Sequence, residues 1–229
     1  MRYEKKFTFD KNQISWIRTC IRNSKYGFST DYPPRQINSI YLDSFNYDDA
    51  EDNIAGLSKR LKVRLRWYSE INQFKLDSVN EFKIEIKFRE NSIGSKIVRS
   101  IDLPKEVLST NQIKIINHIR QQLDPKDRPY LDHCTNFSLG VFYKREYYRS
   151  KASDLRATLD SHINYWNPHT LKLVNDYFSS PQNAEYGVLE FKTSKDNFEK
   201  NLTGLNELSD QATPSRHSKY VVGLTLINK

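Results

Sequence analysis

The chain has 229 residues, a formal net charge of +8 at pH 7 and 37% hydrophobic content with 14 Tyr, 12 Phe and 3 Trp, which excludes a disordered chain and suffices to bury a substantial core in one large domain or two small ones. Cys20 and Cys134 have no metal-ligand spacing, no signal peptide is visible and no apolar run could span a bilayer, so a soluble, cytoplasmic protein without disulfides or a membrane-spanning segment is expected. The positive charge points to an acidic partner: nucleic acid, anionic lipid or a phosphate-rich small molecule.

Tyr3 to Phe9 reads as a strand, and Asp10 stands at the N-cap of a helix over Lys11 to Asn23, where Ile14, Ile17 and Ile21 recur at helical spacing. Tyr32-Pro33-Pro34 is a stiff break, Ile37 to Asp43 a second strand, and Phe45 to Asn53 an acidic turn. Two basic strands follow, separated by a polar turn over Ser69 to Asn80. Asn91-Ser92-Ile93-Gly94 marks a hairpin returning as a strand over Ser95 to Asp102, and Lys105 to Leu123 reads as a helix. Pro125, Pro129 and Asp132 belong to a loop. Val141 to Ser150 and Asp154 to Asp160 pair as a hairpin, Tyr186 to Thr193 is a late strand, and Lys195 to Ser209 is helical. No repeat or linker divides the chain, so a single domain over residues 1–229 is expected. At least seven strands with a few helices favour an antiparallel α+β barrel or half-barrel.

Four stretches alternate charged and apolar residues, so that one strand face is almost wholly ionic. Lys62, Arg64 and Arg66 oppose Val63, Leu65 and Trp67; Lys83, Glu85 and Lys87 oppose Ile84, Ile86 and Phe88; Glu190 and Lys192 oppose Leu189 and Phe191; Arg2, Glu4 and Lys6 open the chain. A single such face is usually the solvated side of a sheet. Four of them, on a sheet that closes, would line one lumen. So many cations facing each other need water or an anion. Arg forks match phosphate oxygens and Lys adds point charges. An extended phosphate chain suits such rows, and a carboxylate among them (Glu190, Glu85 or Glu4) suits the divalent metal that accompanies polyphosphates.

Other chemistries find little support. His118, His133, His162, His169 and His217 are scattered and give no metal triad, and neither a Gly-rich phosphate loop nor a Ser-His-Asp or Cys-His arrangement is present. Asp43 and Asp160 fit turn-fixing roles, and Tyr41 and Tyr143 fit a barrel wall. Trp67, Tyr68, Tyr147 and Tyr148 lie near basic residues, which suggests nucleic-acid binding. Yet the charges alternate with core-like aliphatics instead of forming an exposed groove, so no nucleic-acid partner is expected.

Tyr3-Glu4-Lys5-Lys6-Phe7, Ile40-Tyr41-Leu42-Asp43, Lys62 to Tyr68, Glu85-Ile86-Lys87, Tyr143-Lys144-Arg145, Arg156 to Asp160, Leu189-Glu190-Phe191-Lys192 and Ser218-Lys219-Tyr220 together resemble the VTC domain. This is the polyphosphate-polymerase branch of the triphosphate tunnel metalloenzymes, and the resemblance covers nearly the whole chain in the family's order. It implies a tunnel-shaped antiparallel β-barrel with a few peripheral helices, and an ATP:polyphosphate phosphotransferase that uses Mn²⁺, with Mg²⁺ as the alternative. ATP and polyphosphate are the implied partners. Lys6, Arg64, Arg66, Lys87, Arg145 and Arg156 would act on the triphosphate, and Lys62, Lys83, Lys96, Arg99, Tyr143 and Lys219 would bind substrate. Glu190 matches the metal-binding glutamate, with Glu4 and Glu85 as alternatives. Hydrolytic relatives begin Glu-x-Glu-x-Lys, whereas this chain has Arg2-x-Glu4-x-Lys6, which disfavours a triphosphatase. The transmembrane segment of the fungal complex is not found in this sequence, which implies a free-standing module. A non-catalytic polyphosphate or inositol-phosphate binder and a triphosphatase of the same fold are the alternative readings.

Overall fold

The computed structural model describes residues 2–71, 79, 81–90, 93–168, 181–194 and 212–227. Its strands are β1 (Arg2–Asp10), β2 (Phe28–Asp43), β3 (Lys59–Ser69), β4 (Phe82–Glu90), β5 (Ile93–Ile101), β6 (Asn136–Ser150), β7 (Arg156–Trp166), β8 (Gln182–Asn183), β9 (Tyr186–Ser194) and β10 (Thr213–Pro214). The described helices are α1 (Ile14–Asn23), α2 (Asp48–Ala55), α3 (Lys105–Leu108), α4 (Gln112–Gln121) and α5 (Lys219–Ile227). The ten strands form one mostly antiparallel sheet in the order β10-β1-β9-β7-β6-β2-β3-β4-β5, with β8 pairing β7. This is the α+β class that the strand-rich sequence leads one to expect. Among the described residues no helix is long and apolar enough to cross a membrane.

The chain divides into two compact units: Met1–Gln36, Tyr143–Asn164 and Asn183–Ser218 form one, and Ile37–Phe142, Tyr165–Gln182 and Lys219–Lys229 the other. In the first unit β1, β9 and β7 alternate apolar and ionic residues. Phe7, Phe9, Leu159, Leu189 and Phe191 therefore share one face with Ile17 and Ile21 of α1 in a common core. A 3-10 turn over Lys11–Gln13 leads into α1. The Asp10 carboxylate accepts from Asn12 N at 2.8 Å, and Gln13 Oε1 accepts from Asp10 N at 3.2 Å, a reciprocal cap. Arg18 then ties α1 to Glu146 of β6 at 2.6 Å.

In the second unit Val63, Leu65 and Trp67 of β3 and Ile84 and Ile86 of β4 pack on Ile115, Ile116 and Ile119 of α4. Each such side chain, fully buried, contributes roughly 1.5–3 kcal/mol of transfer free energy. A Cβ at Gly223 of α5 would lie 2.5 Å from Tyr165 and 2.6 Å from Leu139, so the helix approaches these two side chains only because that residue is glycine.

Several boundaries differ from the sequence reading. β2 begins at Phe28 and runs through Pro33 and Pro34, which an exposed stretch of strand tolerates. The acidic segment after Asp43 is the helix α2, whose first turn carries Asp48, Asp49 and Glu51 against the positive end of the helix dipole. The long helix expected over Lys105 to Leu123 is two helices, α3 and α4, with Asn111 capping the second by accepting from Lys114 N at 2.9 Å. β7 continues to Trp166, and the helix α5 follows Ser218. The helix expected over residues 195–209 and most of the turn over 69–80 lie outside the described residues, as do Asn91 and Ser92 of the expected hairpin.

Candidate phosphate-binding site

In the second unit, β3 opposes β4 with Lys62 against Lys87, Arg64 against Glu85 and Arg66 against Lys83, and β4 opposes β5 with Lys87 against Lys96. The register thus aligns Lys62, Lys87 and Lys96 in one row across three strands. Like charges directly opposite destabilise a sheet, and a bound anion would offset the repulsion. Glu85, 4% exposed, is the hub of the neighbouring row. Arg64 Nε donates to its Oε2 at 2.7 Å, Arg66 Nη1 lies 3.4 Å from that oxygen, and Lys96 Nζ donates to Oε1 at 2.7 Å. Burial alone would raise the Glu85 carboxyl, but Arg64, Arg66 and Lys96 outweigh it and hold it well below the usual carboxylate range.

β2 extends this face. Ser39 Oγ accepts from Arg66 Nε at 3.1 Å, and Tyr41 OH accepts from Arg64 Nη1 at 3.3 Å. Tyr41 stacks on Tyr220 of α5, rings 4.5 Å apart and 15° from parallel. The Tyr220 hydroxyl donates to Asp43 and lies 2.9 Å from Ser138 Oγ. This anchors the first turn of α5, where Lys219 is half-buried.

The first unit has a second ionic face. Lys6 stands opposite Glu190, and Glu190 opposite Thr158; Glu4 stands opposite Lys192, and Lys192 opposite Arg156. Lys6 Nζ is 2.8 Å from Glu4 Oε1 and donates to His217 O at 3.4 Å. Lys192 Nζ is 2.5 Å from Glu190 Oε1. Arg145 forks onto Asp160, Nε to Oδ1 at 2.6 Å and Nη2 to Oδ2 at 2.7 Å, with side chains only 15% and 1% exposed. Its guanidinium also lies 5.2 Å over the Tyr143 ring. Burial opposes the Arg145 charge, yet Asp160, Tyr143 and Glu190 overcome this and raise its pKa further above the ordinary value.

Two groups bear on a metal. Asp43, Asp49 and His133 each bring a ligand atom within 4.8 Å of the others, a set that suggests a divalent metal of unassigned identity. Their atoms are already engaged, however. Asp43 accepts from Ser44 N at 2.7 Å, Asp49 N at 3.0 Å, Ala50 N at 3.1 Å and the Tyr220 hydroxyl, and His133 Nε2 is 3.1 Å from Asp49 Oδ2. Asp43 thus fixes the turn into α2, the role its position in the sequence favours. Glu190 is the second group, a buried carboxylate paired with Lys192. Among the described residues its buried Oε1 completes no aligned hydrogen bond despite the close Lys192 ammonium, and neither does Thr158 Oγ1 opposite it. A buried carboxylate held by a lysine on one oxygen can still offer oxygen ligands to a divalent ion that takes its other ligands from phosphates and water.

The expected site residues therefore separate into groups. Lys62, Arg64, Arg66, Lys83, Glu85, Lys87 and Lys96 share one face of the second unit; Glu4, Lys6, Arg156, Glu190 and Lys192 share one face of the first, with Arg145 bonded to Asp160 of β7. Arg99 stands apart. It opposes Ile84 on the apolar side of β4, and its guanidinium binds Asp127 at 2.7 Å and Asp124 at 3.3 Å. Sequence reasoning missed Asp160 as the partner of Arg145 and Tyr220 as the anchor of α5. The first was within reach as a hairpin pairing. The second links residues 177 apart, beyond any local pattern.

The VTC domain family matches residues 1–228. No curated protein sequence matches the chain. Among solved structures, HpAC1 from Hippeastrum, described as having a dominant triphosphatase activity, is similar with a TM-score of 0.58 at 13% identity, over 99% of this chain and 97% of that one. The PH1819 protein from Pyrococcus horikoshii is similar with a TM-score of 0.52 at 14% identity, over 99% of this chain and 100% of that one. Likeness at such low identity speaks to the fold, which is of the triphosphate tunnel type.

Proposed function

The chain belongs to the VTC domain family, which supports an activity related to polyphosphate or triphosphate, and from that premise we propose that it is an ATP-dependent polyphosphate polymerase that transfers the γ-phosphate of ATP to a growing chain. The observation that carries this reading is the surplus of cations around one buried carboxylate: among the described residues of β3, β4 and β5 the register sets one acid, Glu85, among Lys62, Arg64, Arg66, Lys83, Lys87 and Lys96, with Glu81 just before β4 also 3.1 Å from Lys83. Such a face suits phosphate oxygens far better than a neutral or cationic ligand.

Phosphoryl transfer needs positioning and neutralisation of charge more than a covalent nucleophile. Arg64 and Arg66, braced by Glu85, Tyr41 and Ser39, supply fixed donors for non-bridging oxygens. Arg145 does the same from its bond to Asp160. Held in place before substrate arrives, these groups need little reorganisation during the reaction. Lys6, Lys62, Lys87, Lys96, Arg156 and Lys219 add positive charge along the chain, and Tyr143 supports Arg145. Glu190, assisted by Glu4, would hold the divalent ion, Mn²⁺ or Mg²⁺. Such an ion, when bound, neutralises charge on phosphate oxygens. The terminal phosphate of the growing chain is the nucleophile and is already ionised, so no general base is required.

A triphosphatase is the second reading, favoured by the described activity of the Hippeastrum protein and by the Glu4–Lys6 pair. The shortage of carboxylates to activate water speaks against it. Purified protein incubated with ATP and Mn²⁺ separates the readings. Long-chain polyphosphate with ADP supports the polymerase, free phosphate without polymer supports the triphosphatase, and tight polyphosphate binding without turnover identifies a receptor.

A further inference from the structure

In the first unit the outer end of one strand row, beyond Arg145, has no part in the phosphate chemistry described above. β6 sets Tyr143, Arg145, Tyr147 and Arg149 on one side, because alternate strand residues share a face. Solvent access increases along that row: Tyr143 is buried, the Arg145 side chain is 15% exposed, Tyr147 is half-buried and the Arg149 side chain is 46% exposed. At the open end β2 contributes two more residues. Tyr32, 53% exposed, meets Tyr147 edge to face, ring centroids 5.9 Å apart and planes 82° from parallel. Arg35 holds its guanidinium 5.2 Å over the Tyr147 ring and donates from Nε to the Tyr147 hydroxyl at 3.2 Å. Asp31 fixes the adjacent Arg149 at 2.9 and 3.3 Å.

Two tyrosine rings set edge to face and a guanidinium held over one of them by a hydrogen bond form an aromatic surface that is already organised, so a flat ligand loses little affinity to ordering it. Flat aromatic heterocycles stack on such surfaces, with Arg adding a cation–π component. Tyr147 lies about 6.6 Å beyond Arg145 along the strand and Arg149 about twice as far, a span that a ribose and its first phosphate can bridge. The geometry points to Tyr32, Tyr147 and Arg35 as the seat of the nucleobase of a nucleoside triphosphate whose phosphates reach Arg145. The inference rests on the nucleotide-donor reading above and adds a specificity element to it. It gives the donor a recognition group that polyphosphate, having no base, cannot engage.

The test is calorimetric binding of the β,γ-imido analogue of ATP and of tripolyphosphate to the full chain, as wild type, Tyr32→Ala and Tyr32→Trp. Thermal melts check that these substitutions of an exposed residue leave the fold intact. Tyr32→Ala is expected to weaken the nucleotide analogue at least about fivefold, the low end of one base-stacking contact. Tripolyphosphate affinity should stay unchanged, and Tyr32→Trp should retain nucleotide affinity. If Tyr32→Ala weakens both ligands equally, or neither, the inference is overturned while the phosphate site stands. If wild type binds neither ligand, the inference falls together with the nucleotide-donor reading.

Discussion

The two ionic faces are built on opposite principles. In the second unit one buried carboxylate, Glu85, is shared by Arg64, Arg66 and Lys96, beside a row of three lysines. In the first unit charges pair off almost one to one: Arg145 with Asp160, Lys192 with Glu190, Lys6 with Glu4. A face with surplus cations is suited to holding an anion. A balanced face is suited to placing a few charges accurately, and it contains Glu190, the carboxylate proposed above to hold the metal. The contrast teaches that binding and chemistry need not be read from the same count of basic residues.

The sharpest way to break this contrast is at the tightest pair. Arg145→Met leaves the Asp160 charge buried without its partner and should cost about 3–5 kcal/mol in urea unfolding, much of which Arg145→Met combined with Asp160→Leu recovers. A larger loss in the double variant than in the single one contradicts the pairing. At the shared hub, Glu85→Gln keeps the shape but removes the charge facing three cations, and should cost about 1.5–3 kcal/mol at neutral pH. Because the folded-state pKa of Glu85 is depressed, its contribution is present above the ordinary value of 4.5 and is lost as pH falls below it. Acid titration of stability should therefore be shallower in Glu85→Gln than in wild type. An unchanged acid limb would remove Glu85 from the hub.

A smaller effect sharpens the boundary of the binding face. Lys96→Ala should weaken tripolyphosphate binding, whereas Arg99→Ala should leave it unchanged and cost about 1 kcal/mol of stability through Asp127 and Asp124. The smallest effect belongs to His133, whose pKa is raised by its bond to Asp49 against the opposing effect of burial. That contribution is present below the ordinary value of 6.5 and fades as pH rises through the raised one. His133→Ala should cost about 0.2–1 kcal/mol on the acid side and nothing well above it.

The faces themselves were legible in the sequence, because a strand's period of two sorts Lys62, Arg64 and Arg66 from Val63, Leu65 and Trp67 without further information. The same period separates Lys96 from Arg99, three residues apart, a signal that grouping basic residues by strand alone passes over. Helices were harder. Asp48, Asp49 and Glu51 look like a turn until they are read as the acidic first turn of α2. α5 is apolar, rich in β-branched residues and interrupted by Gly223, so its helical state comes from packing against Tyr165 and Leu139 and not from propensity. Of the bonds that fix the site, Arg145 to Asp160 follows from a hairpin pairing, whereas Tyr220 to Asp43 depends on tertiary placement that no local pattern encodes.

The most direct test of the division between holding and reacting compares Arg64→Ala with Glu190→Gln in two assays, tripolyphosphate binding and polymer formation from ATP with Mn²⁺. The account predicts that Arg64→Ala weakens binding, and that Glu190→Gln binds as wild type does while polymer formation falls at least about 10²-fold. Full polymer synthesis by Glu190→Gln, or loss of tripolyphosphate binding in that variant alone, would contradict it.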